Sequence, residues 1–246
     1  MSATIRATAT EILNRVAVEI GLDPVQDPWN TTDKTFRQMT YLLNVAGEEL
    51  SQLFPWAFLV KEHSFTTADT DSGDYDLPDD FLYMINQTGW ERSQNVPLGG
   101  PVSPQEWQYL LGRDLVNTTI YASFRLNDGK FRIFPQPPPN GLNIYFEYCS
   151  RNWVLDSTTG TTYTDKVSLG ADTPLFDRTL LSRMVKVKIL EAKQMDTSKA
   201  QADLNQAFQM LTAHDKGAKV LNAGNRGRGI PLLNNWNNSP HSGYGG

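Results

Sequence analysis

The stretch Leu43-Asn44-Val45-Ala46-Gly47-Glu48-Glu49-Leu50-Ser51-Gln52-Leu53-Phe54-Pro55-Trp56-Ala57-Phe58-Leu59-Val60 is where this chain changes character. Upstream of Pro55, the apolar residues Phe36, Met39, Leu43, Ala46, Leu50 and Leu53 recur at spacings that place them on one face of a helix. That pattern predicts a helix beginning at Thr31 or Thr32. Pro55 ends it, because proline lacks an N–H and disfavours helix in the residue before it. From Trp56 the signals turn strand-like, with runs at 58–66, 81–90, 118–126, 130–134 and 142–149.

Working outward, residues 4–20 read as an earlier helix carrying Ile5, Ala9, Ile12, Leu13, Val16 and Ile20, with Gly21 as a left-handed stop. Asp23-Pro24 through Asp27-Pro28 is a loop. Within the strand-rich region, Asn127-Asp128-Gly129 is hairpin-turn chemistry. A second turn covers 135–141, stiffened by Pro137-Pro138-Pro139. Ser103-Pro104-Gln105-Glu106 combines a capping residue, proline at the first helical position and a capping-box glutamate, so a short helix interrupts the strands until Gly112.

Helical periodicity returns after a polar loop at 155–173. Thr173-Pro174 is expected to cap a helix running to about Met195, with Phe176, Leu180, Met184, Val187 and Leu190 as its apolar stripe. Another helix, about 197–215, carries Ala200, Leu204, Ala207, Phe208 and Leu211. Each amphipathic helix needs a partner to cover its stripe. The expected fold is therefore α+β: an antiparallel helical bundle formed by N- and C-terminal helices, an inserted β-rich domain and an extended C-terminal arm. The expected boundaries are 1–55 and 174–216 for the two bundle halves, 56–154 for the β-rich domain, 155–173 for the loop and 217–246 for the arm. The arm is rich in Gly, Asn, Ser and Pro, with too little apolar content to fold alone.

Composition narrows the function. With 39% hydrophobic and 20% charged residues, the chain is an ordinary globular one. A net charge of −5 argues against a general nucleic-acid binder, which needs a basic face to neutralise phosphates. No apolar run is long enough to span a membrane. The start Met1-Ser2-Ala3-Thr4-Ile5-Arg6 has no signal-peptide pattern, so the expected compartment is cytosol. The single cysteine, Cys149, excludes an internal disulfide and sits in an alternating apolar run that suits a small buried side chain.

The search for a chemical site finds none, and no metal or cofactor is expected. His63, His214 and His241 have no companions at metal-ligand spacing. His214 suits the negative end of its helix. Asp74, Asp76, Asp79 and Asp80 cluster around Leu77-Pro78 but lack the glycine and terminal glutamate of a calcium loop, so a solvated turn is expected. Carboxylates are plentiful, yet nothing selects a glycosidase pair. Leu98-Gly99-Gly100-Pro101 is a turn and not a phosphate loop, and no serine or cysteine has an identifiable base.

Two features exceed what a core requires. The β region carries Trp56, Phe58, Phe65, Tyr75, Phe81, Tyr83, Trp90, Trp107, Tyr109, Tyr121, Phe124, Phe131, Phe134, Tyr145, Phe146, Tyr148 and Trp153. A small domain cannot bury all of these, which leaves some for subunit contacts. The arm places Arg226, Arg228, Ile230, Leu232, Leu233 and Trp236 as anchors in a pliable backbone able to order on a partner.

The segments Leu77-Pro78-Asp79-Asp80-Phe81, Thr88-Gly89-Trp90-Glu91-Arg92 and Pro97-Leu98-Gly99-Gly100-Pro101-Val102-Ser103-Pro104-Gln105-Glu106-Trp107 resemble a pattern in phage head-to-tail connector proteins. The opening 11–22 is similar to the first helix of such proteins. The element order resembles adaptors of short-tailed phages, which are helical bundles with an inserted β domain. The resemblance implies a structural virion protein without catalytic residues. It implies a homo-oligomeric ring, commonly of twelve copies, between the portal protein and the tail tube or nozzle, assembled in host cytoplasm, with double-stranded DNA passing through the lumen. An arm of this composition is then expected to clamp the portal, and the free subunit to be a monomer. A ring of acidic subunits would repel DNA and let it slide. The rivals are a tail-tube or nozzle subunit and, from another class, a cell-wall glycan-binding or hydrolysing module.

Overall fold

The computed structural model describes residues 6–112 and 123–215. Five helices are present among them: α1 (Ala9–Glu19), α2 (Lys34–Leu53), α3 (Pro104–Leu111), α4 (Arg178–Ala192) and α5 (Ser198–Asp215). The strands are β1 (Val60–Thr66), β2 (Asp74–Asp76), β3 (Phe81–Met84), β4 (Trp90–Glu91), β5 (Val96–Pro97), β6 (Ser123–Asn127), β7 (Lys130–Phe134), β8 (Asn143–Ser150), β9 (Val154–Leu155), β10 (Tyr163–Thr164) and β11 (Thr173–Pro174). All strand pairings in the three sheets are antiparallel, and the fold is α+β.

The helices form where local chemistry satisfies their ends. Thr8 caps α1 in a capping box, with Glu11 N–H donating to its hydroxyl at 3.3 Å and Thr8 N–H donating to the Glu11 carboxylate at 3.1 Å. Ile12, Leu13, Val16 and Ala17 then face the core, and Gly21 turns the chain at φ +81°. Asp33 caps α2, so this helix starts just after the expected Thr31 or Thr32; a carboxylate accepting the Thr35 N–H at 2.7 Å fixes the later start.

For α4, the expected cap Thr173-Pro174 is wrong. Those residues are β11, paired with Val154 and Leu155, and Asp177 caps the helix by accepting from Thr179 and Leu180 N–H. A strand partner already holds residues 173 and 174, so the next suitable oxygen takes the capping role. α5 folds back along α4, and Arg183 donates to the Asp203 carbonyl at 2.6 Å. Ala207 is its sole buried residue, while Leu204, Phe208 and Leu211 pack half-buried against the core.

Helices from both ends of the chain share one hydrophobic core: Ile12, Leu13 and Val16 meet Phe36, Met39 and Leu43 from α2 and Leu180, Leu181 and Val185 from α4. A second core belongs to the strands. The first sheet has the order β1-β8-β4-β5, with β3 also on β8, and the second is β2-β7-β6. Phe124, Phe131 and Phe146 stack across the second core, with centroids 4.6 and 5.1 Å apart. The β6–β7 hairpin turns at Asp128 and Gly129, both at positive φ, as Asn-Asp-Gly chemistry predicts. The run read as one strand over 81–90 is two, because Gln87 adopts φ 63° and the Thr88 hydroxyl donates to the Ile85 carbonyl, turning the chain between them. Of the run 118–126, residues 123–126 lie in β6 and the earlier ones fall outside the described residues.

The stretch 155–173, read as a polar loop, is drawn together by one carboxylate. Asp172 accepts from Ser157 N–H and Oγ on one oxygen and from Ser168 and Leu169 N–H on the other, at 2.7–3.0 Å. Its own carbonyl takes the Ala9 N–H at the start of α1. Two helical asparagines fasten other loops in the same spirit: Asn14 pairs with both backbone groups of Val25, and Asn44 with both of Val167.

β8 ties the two cores together, since Phe146 and Tyr148 pack in the strand core and Cys149 in the helical one. Just beyond it, the fully buried Trp153 lies on Gly47 of α2. A Cβ at residue 47 would come within 2.2 Å of the indole carbons. Glycine inside a helix costs about 1 kcal/mol relative to alanine. Burying a tryptophan removes roughly 150–250 Å² from water, worth about 4–6 kcal/mol. The ring burial wins, and the glycine is the condition for it. Gly47→Ala should therefore destabilise the protein by about 1–3 kcal/mol despite its better helix propensity. A denaturant midpoint at or above that of the parent chain would show that α2 and Trp153 are not coupled in this way.

Candidate assembly surface

The segments that carry the connector resemblance fold into the lacing of the β1–β8 sheet. Asp80, in Leu77-Pro78-Asp79-Asp80-Phe81, accepts hydrogen bonds from Lys61 Nζ on β1 and from Tyr148 Oη and Ser150 Oγ on β8, while its carbonyl takes the Arg151 N–H. Burial pushes its carboxyl upward, but the Lys61, Ser150 and Tyr148 hydrogen bonds outweigh that and hold it below its ordinary value. The Tyr148 hydroxyl is pushed up, by burial and by its bond to Asp80.

Glu91 does the same for the next segment. It is buried, yet accepts from the N–H groups of Ser93, Gln94 and Asn143, which closes the β4–β5 turn onto β8. Arg92 beside it lies over the Tyr145 ring, 3.8 Å from its centroid, and pairs with Glu62 of β1. Further along, Gly100 at φ +151° passes so close to Phe124 that a Cβ would meet its carbonyl at 2.5 Å. Val102 N–H donates to that carbonyl, and the predicted Ser103–Glu106 capping box forms with both its hydrogen bonds.

The aromatics of this region divide. Trp56, Trp107, Phe124, Phe131, Phe134, Phe146, Tyr148 and Trp153 are buried. Phe58, Phe65, Tyr75, Phe81, Tyr83, Trp90 and Tyr145 are half-buried, and Tyr109 on α3 is 57% exposed. Tyr121 lies outside the described residues. On the outer face of the sheet, Glu62, Ser64 and Thr66 of β1 stand opposite Glu147, Tyr145 and Asn143 of β8. Glu62 opposite Glu147 is a like-charge pair, which Arg92 offsets from the Glu62 side.

The remaining candidates resolve into structural roles. Asp74 pairs with Arg132 at 3.5 Å and Asp76 with Lys130 at 2.7 Å, so three of the four clustered aspartates have cationic partners. No group of His, Cys, Asp and Glu able to hold a metal occurs among the described residues. His63 packs between Phe65 and Phe146, and burial lowers its pKa against the opposing influence of Asp80. Cys149 is fully buried and its thiol is pushed up by burial. No helix among the described residues is long and apolar enough to cross a membrane. The anchors Arg226, Arg228, Ile230, Leu232, Leu233 and Trp236, and with them His241, lie outside the described residues. The organising role of Asp80, Glu91 and Asp172 was not legible in the sequence: each sits next to a turn signal, but each also gathers donors from a segment distant in sequence, Lys61, Tyr148 and Ser150 for Asp80, Asn143 for Glu91 and Ser157 for Asp172.

Residues 7–228 match the family described as SU10 adaptor protein. The chain belongs to that family. The match covers both hydrophobic cores and all five helices, and it ends at Arg228, so the family resemblance takes in Arg226 and Arg228 but not the apolar anchors beyond. No curated protein matches the sequence.

In this SU10-family chain, Asp80 makes stability depend on acid. Its folded-state pKa lies below its ordinary value of 3.8, so its contribution is fully present above that value. It is lost as pH falls through the lower folded pKa, where the native state must take up the proton. Asp80→Asn should lower stability at neutral pH by about 1–3 kcal/mol. The variant should also lose less stability than the parent between about pH 4 and pH 2. Parallel stability-versus-pH curves for parent and variant, by urea unfolding, would contradict this account.

Proposed function

We propose that this chain is a head-to-tail adaptor of a tailed, short-tailed bacteriophage. It is a structural virion protein, with twelve copies forming a ring between the portal and the tail tube or nozzle, and it performs no chemistry. The observation that carries the reading is the adaptor-family match over residues 7–228. The packing of the chain agrees with it: α1 and α2 close one core with α4 and α5, and the strand core lies between them in sequence. In this reading the helices form an antiparallel bundle that packs side by side around the ring, and the genome passes through the lumen without specific binding.

The charge distribution supports a division of labour between body and arm. Residues 216–246 hold four of the 22 basic side chains and none of the 27 acidic ones, which leaves 18 basic against 27 acidic in the body. An acidic body suits a lumen that DNA crosses without sticking. A basic arm with Ile230, Leu232, Leu233 and Trp236 suits attachment to the portal, where weak contacts repeated around a ring become strong together.

Light scattering and negative-stain microscopy, with and without portal, test this reading. The free subunit should be a monomer, a ring should form on the portal, and deletion of residues 217–246 should abolish it. A subunit indifferent to portal would remove the adaptor reading; turnover of peptidoglycan by the purified chain would replace it with the hydrolase one.

A further inference from the structure

β1 is an edge strand: the outward Val60 N–H is taken by the Trp56 carbonyl at 3.1 Å, and from Glu62 to Thr66 the outward backbone groups have no partner among the described residues. At its ends, Ser150 N–H donates to the Leu59 carbonyl at 2.8 Å and Thr67 N–H to the Leu142 carbonyl at 3.0 Å. With the continuous register from Val60↔Cys149 to Thr66↔Asn143, antiparallel alternation turns the backbone groups of Lys61, His63 and Phe65 toward β8. Those of Glu62, Ser64 and Thr66 point the other way. The far side of β8 confirms the phase: Glu147 and Asn143, opposite Glu62 and Thr66, give their carbonyls to Ile85 and Arg92 N–H. β1 ends the sheet, and nothing among the described residues pairs with the outward groups. Glu62, Ser64 and Thr66 are also exposed. The opposite edge is different: β5 is two residues long and contains Pro97. Short, proline-bearing edges are blunted, whereas a seven-residue edge such as β1 is a template for another strand.

The chain supplies a segment that matches this edge. In Arg226-Gly227-Arg228-Gly229-Ile230 the side chains alternate with glycines, so an extended conformation puts Arg226, Arg228 and Ile230 on one face and only hydrogens on the other. The two faces beside β1 differ in the complementary sense. The outer face carries Glu62 and Glu147, and Arg92 is the sole cation paired to either among the described residues. The inner face carries the exposed, cationic Lys61, the half-buried His63 and Phe65 packed on the strand core, so it lacks the carboxylate pair of the outer face. Ten residues, 216–225, separate α5 from Arg226 and span about 30 Å when extended.

We propose that Arg226–Ile230 of one copy adds as a strand to the outer edge of β1 of a neighbouring copy, with its arginines beside Glu62 and Glu147. The proposal deepens the ring reading and rests on it. The arm then has two parts: a clasp that links subunits, and Leu232, Leu233 and Trp236 beyond Pro231, left for the portal. Backbone hydrogen bonds supply the attachment, and the acidic face sets which way the strand lies.

Cross-linking in full-length chains tests it. One preparation carries Ser64→Cys, a second carries Arg228→Cys, and the two are mixed with and without portal under mild oxidation. The expected result is a disulfide-linked species of twice the subunit mass that needs both variants, and a ladder of multiples when one chain carries both substitutions. A control pair, Thr159→Cys with Arg228→Cys, should give none. Rings without the Ser64–Arg228 bond, no bond in any mixture, or a bond confined to monomer mass in the doubly substituted chain would each overturn the proposal. Ser64→Pro gives a second readout, because it removes an outward N–H while leaving the β8 pairing intact. Its association should weaken by up to about tenfold with little change in the unfolding midpoint of the free subunit; unchanged association would count against strand addition. The two readings fail separately. Portal-nucleated rings lacking the bond sink strand addition alone, and bonded multimers indifferent to portal sink the adaptor reading alone.

Discussion

Trp153 can reach the helical core only because residue 47 of α2 has no side chain. Much else follows from that contact. Trp153 comes directly after β8, the strand shared by the two hydrophobic cores, so seating its indole on α2 fixes where the whole sheet leaves the helices. The ring also touches Phe176, which leads into α4 and packs edge-on against Trp56 and Phe58 at the end of α2. Phe208 of α5 closes on Trp56 from the other direction. One aromatic group thus joins the end of α2, the start of α4 and the middle of α5. The indole N–H finds no acceptor among the described residues, a cost that the apolar burial of so large a ring outweighs.

Around this apolar joint the turns are held by carboxylates used as acceptors. Asp80, Glu91 and Asp172 each gather three or four donors from separate segments. A buried carboxylate is costly when alone and favourable when its oxygens are filled by N–H and O–H groups. Only Asp80 has a lysine among its partners; Glu91 and Asp172 are satisfied mainly by backbone amides, as an anion at a helix N-terminus would be. This explains how a chain with so many short strands holds them in register: a two-residue strand such as β4 or β9 has little ladder of its own, and a neighbouring carboxylate supplies the missing bonds.

What was legible in the sequence is what depends on near neighbours. The stripe from Phe36 to Leu50, the Asp128-Gly129 turn and the Ser103–Glu106 box all take their form from residues a few positions away, and each stands where its pattern puts it. The errors arise where a distant partner decides. Thr173-Pro174 has the look of a helix start, yet pairing with Val154 and Leu155 claims it for a sheet and moves the cap to Asp177. The division of 81–90 follows from the left-handed Gln87, a residue with no special claim to that conformation until the β8 pairing requires the turn. Likewise, a lone glycine in a helical pattern does not announce a tryptophan from another segment. The open edge of β1 was not legible, because which strand ends a sheet is a property of topology.

Adaptor proteins face a mechanical demand that these features answer. In the proposed role, a subunit that sits between two differently shaped partners needs a body that keeps its form and contacts that form only on assembly. Here the body is stiffened by the Trp153 joint and the carboxylate-held turns, so neither core can shift without disturbing the other through β8. In the ring proposed above, each contact is weak singly. An open edge flanked by Lys61 and Glu62 resists random pairing, since charged side chains on an edge disfavour an indifferent neighbour. Such an edge still admits a strand of suitable alternation and opposite charge. Selectivity and reluctance to aggregate then come from the same residues, and the proposed ring would close only when many such contacts are made together.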